Sequence, residues 1–298
     1  MKCNEIINKF NFSNDYTGTD LIHYTSLQGL EGIIQDKELW FTNADFENDV
    51  TEGKYTKDLY FKVVEDFKKE NGLPTDLEKF LSDENLFKIE TAYLKDGDNA
   101  LTGKYEIDIA EFYICCFSTE QDSLPMWRCY GEKRGQGLNI QFDKHILFDE
   151  NKNTDIDKQP EIVKVIYDEK EQIKLIKEKL LLLLNEWKNG IDNFKYAKFG
   201  FTQFIRRIKY IFKHPCFAYE NEIRYIIKVA KSDYSCVKFR ISKDLFIPYI
   251  AIPINVNSLT FTISPLANNL TEIGIKSFLA KNEVKTPTIK KSKCPVRW

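Results

Sequence analysis

Three short polar stretches carry residue types that could do chemistry: His23-Tyr24-Thr25, the segment from Phe117 to Gly131, and Glu220-Asn221-Glu222-Ile223-Arg224. His23 lies just before an expected helix start, where backbone N–H groups favour an anion, so it suits a phosphate-bearing ligand. A histidine hydrogen-bonded at a strand edge would read the same way. In the second stretch Ser118 is expected to fix a ribose or phosphate oxygen. Trp127 and Tyr130 offer faces on which a planar ring can stack. Met126 reads as a core plug, and Trp127 fits either role. In the third stretch strand alternation puts Glu220, Glu222 and Arg224 on one face and Ile223, Tyr225 and Ile227 on the other. Such a row of charges is either catalytic or a same-face salt bridge on an exposed edge strand.

A sheet has to bring these distant stretches together. Leu21 to Tyr24 reads as a short strand, and Thr25 with Gln28 as a capping box for a helix through Leu27, Leu30, Ile33 and Ile34. A strand at Leu39–Thr42 follows. Tyr55, Leu59, Val63 and Phe67 recur at helical spacing, and Leu77, Phe80, Leu81, Phe87 and Tyr93 continue past polar turns, which predicts a helical insertion near 52–95. The apolar run Phe112 to Phe117 and the alternating Leu138, Ile140 and Phe142 predict two core strands around a loop at 118–134 that holds a short helix. Ile173, Ile176, Leu180, Leu183 and Trp187, then Phe194, Phe201, Ile205, Ile208 and Phe212 beyond Asn189-Gly190, predict a helical hairpin near 168–213. Strands are expected at 222–229, 236–241, 248–254, 259–263 and 286–290, with a helix near 267–281. The expected fold is a single α+β domain over 1–298, a mixed, largely antiparallel sheet core with helical insertions.

Composition narrows the partners. A net charge of −2, from 43 Lys and Arg against 45 Asp and Glu, gives no whole-molecule field toward nucleic acid or an acidic membrane. Locally, Lys188, Lys195, Lys198, Arg206, Arg207, Lys209 and Lys213 face a single acid, Asp192. A basic helical face of that kind either docks a nucleic-acid or protein acceptor, through Arg206, Arg207 and Lys209, or is simply solvated. Apolar runs such as Leu180 to Leu184 are far short of the roughly 20 residues that span a bilayer, and MKCNEIINKF lacks a signal-peptide core. A cytoplasmic location without a membrane partner is therefore expected. Seven cysteines with no C-x-x-C pair and only three histidines, together with an Asp45, Asp49 and Glu52 spacing unlike a calcium loop, lead us to expect no metal. Asn43, Asp45, Asn48, Asp49 and Glu52 read instead as turn and cap residues.

The stretches HYTSLQGLEGIIQDKELWFTNADFENDVTEG, CCFSTEQDSLPMWRCYGEKRGQGLNIQFD, FAYENEIRYII and TIKKSKCPVR, in that order and spacing, resemble a bacterial family catalogued as domain of unknown function 2971 over most of the chain. That name carries no activity. More distantly, His23, then Phe117-Ser118-Thr119 with Tyr130, then Glu220-x-Glu222 resemble the ADP-ribosyltransferase superfamily. Its sites combine a His or Arg on an early strand, a Ser-Thr-Ser or Tyr element, and a Glu on a later strand. Here Ser118-Thr119-Glu120 stands in place of Ser-Thr-Ser, and a long loop precedes Tyr130. The resemblance implies an ADP-ribosyltransferase-like fold with NAD as substrate. It places His23 on the NAD ribose, Tyr130 on nicotinamide, and Tyr24, Thr25, Ser118 and Trp127 in the same NAD site. Glu222 is then the catalytic carboxylate, Arg224 its holder, and Glu220 the group that orients an acceptor. Breaking a nicotinamide–ribose bond builds positive charge on the sugar, which a fixed carboxylate stabilises. The expected activity is ADP-ribosyl transfer to a macromolecule or outright cleavage of NAD, and a phage-defence or toxin role would fit it. The alternative is a non-enzymatic nucleotide- or nucleic-acid-binding module.

Overall fold

In the computed structural model, residues 2–46, 52–87, 91–94, 107–130, 137–145, 147, 161–242 and 244–295 are described. Of the stretches above, residues 47–51, 131–136 and 296–297 lie outside them, Asn48, Asp49 and Gly131 included. After α1 (Lys2–Asn8), β1 (Asp20–Thr25) buries Leu21, Ile22 and Tyr24. The expected capping box is displaced by one residue. Ser26 caps α2 (Leu27–Asp36), its hydroxyl accepting from the Gly29 N–H at 3.0 Å, while Thr25 stays in the strand. A Cβ at Gly29 would meet Thr25 Oγ1 at 2.0 Å, so glycine is what lets the first turn of α2 close against the strand. Leu30, Ile33 and Ile34 bury the inner face of α2, and β2 (Glu38–Asn43) follows.

The insertion comprises α3 (Glu52–Asn71) and α4 (Thr75–Leu81), but its end is not helical. Thr91–Leu94 forms β3, paired with β4 (Ile107–Ser118), because that sheet edge offers backbone partners that local periodicity does not reveal. α5 (Leu124–Tyr130), β5 (Leu138–Asp143) and β6 (Glu161–Lys164) come next, the last absent from the expected elements. α6 (Glu169–Lys188) is capped by Asp168, whose side chain accepts from the Glu171 N–H at 2.8 Å. It turns through Gly190, at φ +115°, into α7 (Ile191–Ile208). The hairpin thus stops five residues before Lys213. β7 (Glu222–Ala230), β8 (Lys238–Ser242), β9 (Leu245–Pro253), β10 (Thr260–Ile263), α8 (Asn269–Lys281) and β11 (Thr288–Lys291) complete the chain.

The fold is mixed α and β with a largely antiparallel sheet. Its strands run β11-β10-β5-β1-β4-β2-β9-β8, with β7 along β4, β6 on β7, and only β10–β11 parallel among the described pairs. β7 pairs with β4 from Ala110 to Ser118. The other edge of β4 is shared: Ser118 faces Ile22 of β1, whereas Ile114 and Tyr113 face Thr42 and Asn43 of β2. The sheet therefore divides at 115–117 into a β1 branch and a β2 branch, and α2 carries the chain from one to the other. Strand alternation sorts the apolar residues onto two faces. Ile114, Val163 and Ile226 pack with α3, α4, α6 and α7, while Tyr113, Phe117, Ile223, Tyr225 and Ile227 pack with α2 and α8.

Candidate functional site

The division of the sheet holds a cleft of about 870 Å³ lined from β1, α2, β2, β4, β7 and β8. His23, Tyr24, Thr25, Ser118 and Tyr130 reach it from one end of the chain's site stretches, and Glu220, Glu222 and Arg224 from the other. Trp127 does not. Ile22, Ser118 and Glu222 form one row across three strands. Glu222 accordingly leaves the sheet on the side of α6 and α7, and His23 on the opposite side, although both line the cleft.

His23 Nδ1 lies 3.0 Å from the Cys116 carbonyl, which can only accept, so Nδ1 carries the proton and Nε2 the lone pair. Its pKa is lowered by burial, which outweighs the opposing effect of the Cys116 carbonyl. A neutral imidazole offers an acceptor to a hydroxyl rather than a cation to a phosphate. The bond also spans the gap between β1 and β4 where the ladder stops.

The third stretch is not on an exposed edge. β7 lies between β4 and β6 and is buried along nearly its whole length. Glu220 closes a 3₁₀ turn (Pro215–Glu220), and Asn221, left-handed at φ +41°, leads into β7. Glu220, Glu222, Arg224 and Lys213 are 4%, 5%, 3% and 6% exposed. Arg224 grips Glu222 as a fork, Nε to Oε1 at 2.8 Å and Nη2 to Oε2 at 3.1 Å, and donates Nη1 to the Tyr210 carbonyl at 2.8 Å. Lys213 Nζ bridges both acids, 2.6 Å from Glu220 Oε2 and 3.1 Å from Glu222 Oε2. The Tyr167 hydroxyl accepts from the Glu222 N–H at 3.1 Å. Two acids and two bases thus cancel inside the fold, as buried charges must.

Burial alone would raise the Glu222 pKa, but the Arg224 and Lys213 charges outweigh it and hold the carboxyl at about 2, against an ordinary 4.5. A depressed carboxylate pKa adds stability that is present above the unfolded value and is lost as the pH falls through the folded one. Stability is therefore expected to fall between about pH 4.5 and pH 2 by an amount on the order of 3 kcal/mol from this group. Denaturant midpoints across that range check it, and an acid limb unchanged in Glu222→Gln would contradict it.

Several expected ligand contacts turn out to support the protein instead. The Ser118 hydroxyl donates to the Glu220 carbonyl at 2.5 Å and accepts from the Glu120 N–H at 3.0 Å, so it positions Glu220 and has no proton left to donate to a phosphate oxygen. Trp127 is 0% exposed. Its indole N–H donates to Asp122 at 2.7 Å and its ring packs edge-on against Tyr24, which makes it a core plug and removes it as a stacking face. Tyr24 is held by its hydroxyl on the Glu120 carbonyl, and burial pushes its pKa up to about 12. Asp122 also accepts from Ser292 and from the Lys293 N–H, which docks Ser292 and Lys293 beside Trp127. Tyr130 differs: the residue is 39% exposed while its hydroxyl donates to Glu220 Oε1 at 2.8 Å, so it can offer aromatic surface to a planar ligand.

The cations at 206–213 are engaged separately. Lys213 belongs to the buried cluster, Arg207 pairs with Glu161 and lies over Phe12, and Lys209 pairs with Asp45 at 3.1 Å. Arg206 is half-buried and its pKa is lowered by that burial. Lys213, Tyr167 and Tyr210 were not singled out as site residues, since Lys213 reads in sequence as one more cation in a basic run. Among the described residues, no three His, Cys, Asp or Glu are placed to hold a metal ion, and no helix is long and apolar enough to cross a membrane.

No curated protein and no solved structure matches the chain. The matching stretch is narrower than the resemblance read from the four motifs, and it contains Tyr130, Lys213, Glu220, Glu222 and Arg224 but neither His23 nor Ser118. Over residues 126–225 the chain is similar to the family described as protein of unknown function (DUF2971).

Proposed function

We propose that the cleft binds NAD and that Glu222 promotes cleavage of its nicotinamide–ribose bond, the ADP-ribosyl group passing to a macromolecule or to water. The bond from ribose C1′ to the nicotinamide nitrogen breaks with both electrons leaving on nicotinamide. The acceptor then bonds to C1′ and gives up its proton. The single observation that carries this reading is a carboxylate kept ionised inside a cleft that also presents a neutral imidazole and an exposed aromatic ring. A fixed negative charge is what an oxocarbenium-like centre needs, and it is worth most where water is excluded. Arg224 holds Glu222, and Lys213 shares its charge with Glu220, which orients the acceptor. Such an enzyme would act in the cytoplasm, where NAD is at hand, and depleting NAD or modifying a macromolecule is chemistry suited to phage defence or a toxin.

One observation favours a second reading, a non-enzymatic nucleotide-binding module: both carboxylates are already neutralised by Lys213 and Arg224 without any ligand. Incubating the protein with NAD and measuring free nicotinamide decides between them. Release above the uncatalysed background is expected; binding of NAD without release would sustain the module and end the enzymatic reading.

A further inference from the structure

On the β2 branch of the cleft, Arg240 of β8 stands apart from the other cations lining it. Lys213 and Arg224 are neutralised by Glu220 and Glu222. Arg240 has no carboxylate partner among the described residues. Of the carboxylates on that side, Glu38 pairs with Lys238 at 3.4 Å, and Glu31 is exposed and forms no ion pair with Arg240. The guanidinium is nevertheless fixed in place. Its carbon lies 5.5 Å from the centre of the Trp40 ring, Trp40 in turn packs on Tyr249 at 4.5 Å, and Nη2 donates to Thr42 Oγ1 at 3.1 Å. Its Nε is buried without a hydrogen-bond partner. The Nε atoms of Arg206 and Arg207 are buried in the same way, so it is the Nη1 donors and the remaining Nη2 donor of Arg240, not Nε, that are left for a ligand.

A planar cation held on an aromatic face, uncompensated and with donors to spare, matches phosphate oxygens better than any neutral ligand. We propose that Arg240, fixed by Trp40 and Thr42, is the pyrophosphate subsite of the cleft. The reacting end of the ligand would then lie toward Glu222, across β9, β2 and β4. This inference rests on the reading that the cleft takes a dinucleotide, but it makes a claim that can fail separately.

The test measures binding of ADP-ribose, ADP and adenosine by calorimetry, and nicotinamide release from NAD, for the unaltered protein, Arg240→Gln and Arg240→Lys. Arg240→Gln is expected to weaken ADP-ribose and ADP by about 10- to 100-fold, the usual worth of charge-assisted hydrogen bonds, with Arg240→Lys between the two and adenosine unmoved. If nicotinamide is released, KM should rise by a similar factor while kcat is retained. An active protein whose KM and ADP-ribose affinity are untouched by Arg240→Gln overturns the subsite and leaves the enzymatic reading standing. A protein that releases no nicotinamide but loses ADP-ribose binding in Arg240→Gln supports the subsite and ends the enzymatic reading. Absence of binding to both ADP and ADP-ribose in the unaltered protein overturns the subsite. Thermal midpoints of the two variants, expected to stay close to that of the unaltered protein, show that any loss is local.

Discussion

Glu222→Gln is expected to cut nicotinamide release from NAD by a hundredfold or more and to weaken the fold at the same time. The first loss follows from removing the negative charge that faces the developing cation, a group typically worth ~3 kcal/mol or more of barrier. The second follows from burial. At an exposed edge strand the change would cost about 1 kcal/mol, but here it leaves the Arg224 guanidinium without its carboxylate inside the protein, and breaking such a pair costs roughly 3–5 kcal/mol. Activity per folded molecule, measured well below the thermal midpoint of the same preparation, separates the two effects. Full activity would remove Glu222 from the mechanism, and an unmoved midpoint would contradict the energetic role of the cluster.

Lys213→Met should be at least as damaging, because one ammonium serves two acids. Without it Glu220 and Glu222 face each other across the space that Nζ occupied, with Arg224 compensating only one of them. A stability loss of roughly 3–5 kcal/mol is expected, with a rise in the pKa of whichever carboxylate takes up a proton. Adding Glu220→Gln to Lys213→Met removes the surplus charge and should recover about 1–2 kcal/mol, even though Glu220→Gln alone is destabilising. A double-mutant cycle from denaturant midpoints measures this coupling. Strictly additive losses would mean that Lys213 and Glu220 do not act as a pair.

How far these features could be read from the sequence depended on whether they were local. The alternation in β7 sorts Ile223, Tyr225 and Ile227 onto one face and Glu222 and Arg224 onto the other, and the periodicity of α6 and α7 marks the hairpin with its Asn189-Gly190 turn. What a sequence does not carry is which strand lies beside which. A buried Glu–Arg pair and a solvated one have the same spelling, so the central place of β7 became visible only with β4 and β6 on either side. Lys213 was hidden for the same reason, since its partners come from a turn and a strand that follow a helix it only seems to belong to. For Trp127 and Ser118 the neighbourhood is legible in the sequence but the role is not, because whether a polar atom is already satisfied depends on Asp122, Glu120 and Glu220. Arg240 and Trp40 gave no signal, as each is unremarkable in its own strand.

The shared edge of β4 also governs how the molecule comes into being. Its partners are contributed by β1 and β2 from early in the chain and by β7 from late in it, and the Ser118 hydroxyl meets the Glu220 carbonyl across 102 residues. Closing loops of that length before the contacts that reward them is slow, so a topology dominated by such pairings folds late and as a whole. The stretch 126–225 contains β6 and only Glu222–Tyr225 of β7 and lacks β4, and expressed alone it would leave the backbone N–H and C=O groups on one edge of that strand open to other chains. The cleft is thus a product of complete chain closure: truncation or a stalled intermediate yields an aggregation-prone strand rather than a weaker form of the site.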